Sequence, residues 1–229
     1  MAIKSKNKKS IPGKGIIILF VAATLLVVVL FAGLKIYNTV FAPSVQTADG
    51  NPAEIFIPSS PSFEEVVNLL EYSGVISNMD AFIWVAKRKG YDARPRGGRY
   101  LLSNGLDNNQ LVNLLRSGRQ TPVNVTFNNI RTIEDLAGQL AVRLEPDSVD
   151  FLSTFRDIKL LNSLEVEPHT LLGMILPNTY QMYWTASSQE FLKRMHQEYQ
   201  RFWNATRMEK AQAAGLTPME VATLASIVD

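Results

Sequence analysis

Residues 15–34 read GIIILFVAATLLVVVLFAGL, twenty positions without a charge in which the Thr24 hydroxyl is the one polar side-chain group. At 1.5 Å per residue such a helix is about 30 Å long, the thickness of a bilayer's hydrocarbon core, so the stretch predicts a membrane-spanning helix over 15–37. That reading divides the rest of the chain into a short basic tail over 1–14 and a folded part that begins beyond residue 37. Lys4, Lys6, Lys8, Lys9 and Lys14 precede the apolar run and Lys35 follows it, with no acid among them. The bias places the N-terminus in the cytoplasm and the bulk outside, on a single-pass anchor in the cytoplasmic (inner) membrane. A cleaved signal peptide is the alternative. Against it, the apolar run is longer than a signal's usual core, and the small residue best placed for cleavage, Ala42, precedes Pro43.

The whole-chain averages conceal this division. Mean hydropathy is +0.01 and net charge +2 over 229 residues. Beyond Lys35, however, 17 basic side chains face 21 acidic ones. The pI of about 8.8 therefore reflects the tail, and no nucleic-acid partner is implied by it. With no cysteine, the chain has no disulfide framework and no thiolate to act as nucleophile or ligand. His169 and His196 stand 27 positions apart without a flanking ligand pattern, so neither a metal site nor a cofactor is expected. Phosphate loops, dinucleotide fingerprints, nucleophile elbows and zinc-protease motifs are absent from the sequence. The carboxylate pairs Glu64/Glu65, Glu165/Glu167 and Asp147/Asp150 read as solvated helix or loop positions.

Residues 38–52, NTVFAPSVQTADGNP, read as a polar linker giving reach above the membrane. A first α+β module is expected over 53–120: strand 54–57, a helix opened by Ser62 with Glu65 and closed by Gly74, a helix over 80–89, strand 99–102, and a helix over 107–116 ended by Gly118. A second α+β domain is expected over 121–229. It begins with strand 122–127 and a helix over 132–144, followed by a polar helical stretch over 147–163. The segment 171–184, LLGMILPNTYQMYW, is aromatic and aperiodic with a turn at Pro177-Asn178, and a long helix is expected over 188–207. A last helix opens on Thr217-Pro218-Met219-Glu220, and Val221, Leu224, Ala225 and Val228 keep helical spacing to the final residue without a closing signal. From this a longer protein, cut within a domain, is inferred.

Three segments in order, GGRYLLSNGLDNNQLVNLLRSG (97–118), ILPNTYQMYW (175–184) and LTPMEVATLASIVD (216–229), resemble the endolytic murein transglycosylase, or YceG-like, family. The first is similar to the family segment that closes a LysM-like subdomain. The second resembles its P-[DN]-T-Y segment, and the third the opening of its A-S-I-[IV]-[ED]-x-E helix. The resemblance implies an anchor, a LysM-like module and the first part of a YceG-type α+β catalytic domain. It also implies cleavage of β-1,4 MurNAc-GlcNAc bonds in nascent peptidoglycan with a 1,6-anhydro-muramoyl product, which would terminate glycan elongation. The implied partners are peptidoglycan strands, the membrane and peptidoglycan synthases.

By that resemblance the catalytic glutamate falls about two residues after Asp229, outside the chain, so no catalytic residue is assigned here. Asp229 matches the preceding acidic position, which on a helix points about 200° away from the glutamate. Asn178, Thr179 and Tyr180 match the segment near the sugar cleft and are the candidate substrate-binding residues; core packing is the competing reading for Tyr180. Gly98 and Tyr100 read as turn and core positions. The chain departs from the family at Leu172, where many relatives carry an acid, and at Asn128-Asn129, where they carry Glu-Gly. The rival reading is a non-catalytic, membrane-tethered scaffold that binds peptidoglycan. A sensor or solute-binding ectodomain is disfavoured by the lack of an internal repeat.

Overall fold

The fold, taken from a computed structural model, is described for residues 13–127 and 130–228. The tail up to residue 12, the pair Asn128-Asn129 and Asp229 lie outside the described residues. The chain is α+β throughout, with helices hung on two separate two-stranded sheets.

Helix α1 (Gly13–Phe41) contains the apolar run, and its window Ile17–Phe41 is long and apolar enough to cross a membrane. Side chains along that window, such as Leu26 and Phe31, are exposed to the surroundings. The helix does not stop at residue 37. It continues one more turn, until Pro43, which has no N–H to donate, brings the helical ladder to an end.

Residues 43–47 then differ from the expected linker. Val45 is fully buried and Ser44 nearly so. The N–H groups of Ser44 and Val45 both donate to the Leu106 carbonyl (2.8 and 2.9 Å), Gln46 donates to Val75 (2.8 Å), and Ser77 donates back to Ser44 (2.8 Å). An apolar side chain within a polar stretch is enough to sew the segment into the first module. The junction is fastened from the helix side as well: the buried Asn108 amide donates to the Thr39 carbonyl (2.9 Å), and Val40 packs on the first core. The folded part therefore begins directly at the end of α1.

The first module takes the expected order: β1 (Ala53–Ile57), α2 (Phe63–Ser73), α3 (Met79–Arg88), β2 (Gly98–Leu102) and α4 (Asn108–Ser117). The strands pair antiparallel with Ile55 opposite Tyr100, and alternation sends Ile55, Ile57, Tyr100 and Leu102 inward. Ser62 and Glu65 form a reciprocal capping box on α2, and Asp107 and Gln110 form another on α4. Gly74 and Gly118 end these helices at φ 65° and 67°, where a side chain would be strained.

The second module contains β3 (Val123–Thr126), α5 (Ile133–Ala141), α6 (Ser148–Phe155), α7 (Ile158–Ser163), a 3-10 turn (Pro168–Thr170), α8 (Leu171–Met174), β4 (Thr179–Met182), α9 (Ser188–Phe202), α10 (Ala205–Ala213) and α11 (Pro218–Val228). β3 and β4 pair antiparallel with Val125 opposite Tyr180. Its core is aromatic: Phe127, Phe151, Phe155 and Phe191 are buried and stack ring to ring, with Tyr180 beside Phe127.

Two expected helices are each divided, in both cases by a polar cap. Asp157 accepts from the N–H groups of Lys159 and Leu160 and starts α7 anew after α6. The long helix 188–207 breaks at Trp203, and Asn204 accepts from the Arg207 N–H (3.0 Å) to open α10. The aperiodic segment 171–184 resolves into a single helical turn, a polar turn and the strand β4.

Candidate functional site

Helix α11 opens on a capping box. The Thr217 N–H and hydroxyl both donate to the Glu220 carboxylate (2.7 and 2.8 Å), and the Glu220 N–H donates to the Thr217 hydroxyl (3.3 Å). The same bonds, the main-chain donor first, hold the Glu220 carboxyl below its usual pKa range. Behind the box, Met219 packs its sulfur onto Gly173 of α8, where any Cβ would collide with it. α8 leads through Pro177-Asn178 into β4. The segment carrying Pro177, Asn178 and Thr179 and the helix carrying the Ala225-Ser226-Ile227-Val228 run are thus linked through α8.

The three candidate binding residues divide between surface and core. Asn178 and Thr179 are exposed at the start of β4, where the Asn178 side chain accepts from the Thr179 N–H (2.8 Å) and Thr179 meets Thr126 hydroxyl to hydroxyl (2.9 Å). Tyr180 is 6% exposed, its ring lies against Phe127, and its hydroxyl donates to the Leu176 carbonyl (2.8 Å). Burial, and then the charge of Glu198, push its pKa up, against a lowering effect of Arg194. With its ring in the core, Tyr180 has no free face for stacking on a sugar, and it leaves the candidate list. The cause is alternation along β4, which turns every second residue inward. Leu172 is half-buried against the same core.

Tyr100 takes the core role expected of it, whereas Gly98, expected in a turn, opens β2 opposite Ile57. Tyr100 is fully buried, its hydroxyl lies 3.2 Å from the carbonyls of Arg96 and Gly97, and burial pushes its pKa up to about 12. Gly98 sits at φ 146° with the Gln120 side chain where a Cβ would be.

Beside Thr179, the same alternation brings out residues that the sequence reading missed. Thr179, Gln181 and Tyr183 share the outer side of the second sheet with Asn124 and Thr126, and all five are exposed. At the Tyr183 end a groove of about 640 Å3 opens between β4 and the start of α9 and reaches Gln120, with Thr185, Glu190 and Arg194 among its lining. A hollow of about 360 Å3, bounded by Ser59, Arg96 and Gly97, adjoins it across Gln120 and Thr185. The Thr185 hydroxyl and the Gln120 carboxamide contact each other through both carboxamide atoms (3.0 and 3.1 Å). Beside them the Glu145 carboxylate accepts from the Ser59 N–H (2.8 Å), and the Phe56 ring meets Trp184 edge-on at 5.1 Å. Reading TYQMY as a strand would have exposed Gln181 and Tyr183. The turn and single-turn helix ahead of it hid that period.

The model of the YceG-like family matches residues 55–229, which is both modules. The chain belongs to the YceG-like family. Among solved structures, a crystal structure of a yceG-like protein from Listeria monocytogenes is 19% identical, with 78% of this chain and 64% of that one covered and a TM-score of 0.45. This YceG-like chain thus spans less than two thirds of that protein's length. No curated protein matches it.

Proposed function

We propose that this YceG-like protein is a membrane-anchored endolytic transglycosylase of peptidoglycan. The observation that carries the reading is the family match over 55–229, which takes in the Asn178-Thr179 turn and α11. The family chemistry needs one carboxyl. In its acid form it protonates the glycosidic oxygen as the bond to the anomeric carbon breaks. As carboxylate it then takes the proton from the sugar's own 6-hydroxyl, which closes onto that carbon, so no water enters the product. The paired carboxylates of hydrolytic glycosidases are not required.

The glutamate that does this in the family lies two positions beyond the site matched by Asp229, so the activity is assigned to a chain that carries it. Asn178 and Thr179 are proposed at the edge of the sugar cleft, the first module as a LysM-like glycan-binding unit, and α1 as a single-pass anchor with the N-terminus in the cytoplasm.

The test is product release from purified glycan strands. A chain extended through the motif's glutamate should yield anhydro-muramoyl ends, and its Glu→Gln variant should yield none. Equal product from residues 1–229 alone would place the chemistry elsewhere. Glycan binding without cleavage by the extended chain would favour a scaffold.

A further inference from the structure

The outer side of the β3–β4 sheet is an unusual surface for a two-stranded ribbon. Its inner residues, Val123, Val125, Tyr180 and Met182, face the aromatic core. The outer residues remain open to solvent, and none of them is charged. Asn124 and Gln181 oppose each other across the ladder, so two carboxamides stand side by side. The Thr126–Thr179 hydroxyl pair forms the next rung, and Tyr183, 55% exposed, stands at the far end beside the groove.

A charged ligand would find no counter-charge along this row, and the two charged residues that line the groove are already engaged, Glu190 in the capping box with Ser187 and Arg194 with Glu198. A hydrocarbon would find two carboxamides that need hydrogen-bond partners. What fits is a neutral polymer rich in hydroxyl and amide groups: carboxamides donate to and accept from an N-acetyl group or a ring hydroxyl, and the tyrosine face covers the apolar side of a pyranose. The strands extend the row over about 13 Å, longer than one sugar ring, and the groove continues it past Tyr183 toward Gln120. The end at Asn178 leads back to α8 and so to α11.

We propose that this row, from Thr179 through Gln181 and Asn124 to Tyr183 and into the groove over Gln120 and Thr185, is a track for the N-acetylhexosamine backbone of a glycan. The assignment of the ligand as a glycan rests on the transglycosylase reading. The track itself rests on the uncharged carboxamide and aromatic row and on the groove. Apart from Thr179, it is formed by side chains that the sequence motifs do not single out, and its groove reaches Gln120 at the end of the first module.

The test is titration of the full 229-residue chain in lipid nanodiscs with N-acetylglucosamine tetramer and with the corresponding glucose tetramer, which lacks the amides. The N-acetylated oligomer should bind in preference. Tyr183→Ala and Gln181→Ala should each weaken it about five- to tenfold, the loss expected of one stacked ring or one well-placed amide. Tyr72→Ala, at an exposed ring on α2, should leave binding unchanged. All three side chains are on the surface, so the variants fold, and a thermal melt verifies it. Binding that Tyr183→Ala and Gln181→Ala leave intact would overturn the track while leaving glycan recognition, and the lytic reading, in place. Equal binding of the two tetramers, or none by the parent chain, would overturn the track too. The lytic reading is judged separately, by product release from the extended chain.

Discussion

The first module and the second both hang helices on a two-stranded antiparallel sheet, yet different interactions close them. In the first, short-range bonds finish each helix: side chains cap the starts of α2, α3 and α4, and left-handed glycines end α2 and α4. Its core is mainly aliphatic, and the Ser44–Gln46 segment is stitched to Leu106, Val75 and Ser77 by main-chain bonds. In the second, four phenylalanines from two helices and the loop after β3 meet edge-on or tilted at ring distances of 5.7 to 6.2 Å. Phe191 is central, touching Phe127, Phe151 and Phe155. Side chains cap the second module's helices too, at Thr132, Asp147, Asp157, Ser187 and Asn204, so what sets it apart is the aromatic cluster added at its core.

Deleting the cluster's centre should therefore have the largest effect. Phe191→Ala removes a fully buried ring and deprives three others of a partner, at a cost of about 3–5 kcal/mol. Urea unfolding combined with amide exchange should show protection lost throughout the second module and kept in β1, β2 and α4. Loss of both together would mean that the modules share one cooperative unit, and the contrast between them would fail. The converse probe is smaller. A Cβ at Gly97 would lie 2.6 Å from the Pro58 carbonyl carbon and the Ser59 Cα, main-chain atoms that cannot swing aside. Gly97→Ala should cost the first module about 1–3 kcal/mol, seen as a lower urea midpoint for its amides alone.

The same contrast governs what was legible in the sequence. Ser62 with Glu65, Asp107 with Gln110, and the glycines at 74 and 118 announce the first module's helices from within a few residues, and those elements fall within a residue or two of expectation. The apolar helix α1 is legible for a similar reason, being a matter of length and composition alone. β4 is not, because it is defined by pairing with β3, more than fifty residues earlier, and nothing nearby marks its period. Tyr180 is misplaced with it: whether a tyrosine in a turn-rich segment stacks on a ligand or on Phe127 depends on which way the strand faces. Val45 is hidden for the opposite reason, as a single apolar side chain among polar neighbours in a segment whose partners, Leu106 and Val75, come from elsewhere. Asn204 and Asp157 carry the signal for a helix start, but within a polar helical pattern it could not be told from a surface residue.

Among the described residues, polar bonds and one aromatic pair connect the modules, which sharpens the comparison further. Glu145 holds the Ser59 N–H at 2.8 Å next to the Phe56–Trp184 pair. Glu145→Ala should lower stability by about 0.5–1 kcal/mol, the usual net worth of one partly exposed hydrogen bond. Its more telling consequence should be faster amide exchange at Ser59 and near Thr185, with both module cores unaffected. Slower glycan binding in that variant would further tie the latch to the groove.

The smallest effect offers the most direct comparison, because each module contains the same device. Ser62 with Glu65 and Thr217 with Glu220 are capping boxes with the same bonds, and in both the main-chain donor leads the side-chain donor in holding the glutamate below its usual pKa. A carboxyl depressed in the folded state contributes stability above its unfolded pKa, and that contribution is lost as pH falls through the folded value. Both boxes should therefore open below about pH 4.5, the ordinary value for glutamate. Once opened, the two helices should respond differently. α2 buries Val66 and Leu70 completely, so tertiary packing keeps it helical after its cap is gone. On α11 the side chains of Thr223, Leu224 and Ala225 are exposed, and Met219 on Gly173 is a principal tie to the rest of the module. Amide exchange measured from about pH 6 down to about pH 3.5 should rise beyond the intrinsic pH dependence in the first turn of α11 and not in α2. Thr217→Ala should reproduce that excess at the upper end of the range, whereas Ser62→Ala should leave Leu70 protected. Parallel fraying of the two helices would show that the box, and not the core behind it, decides how firmly a helix is held.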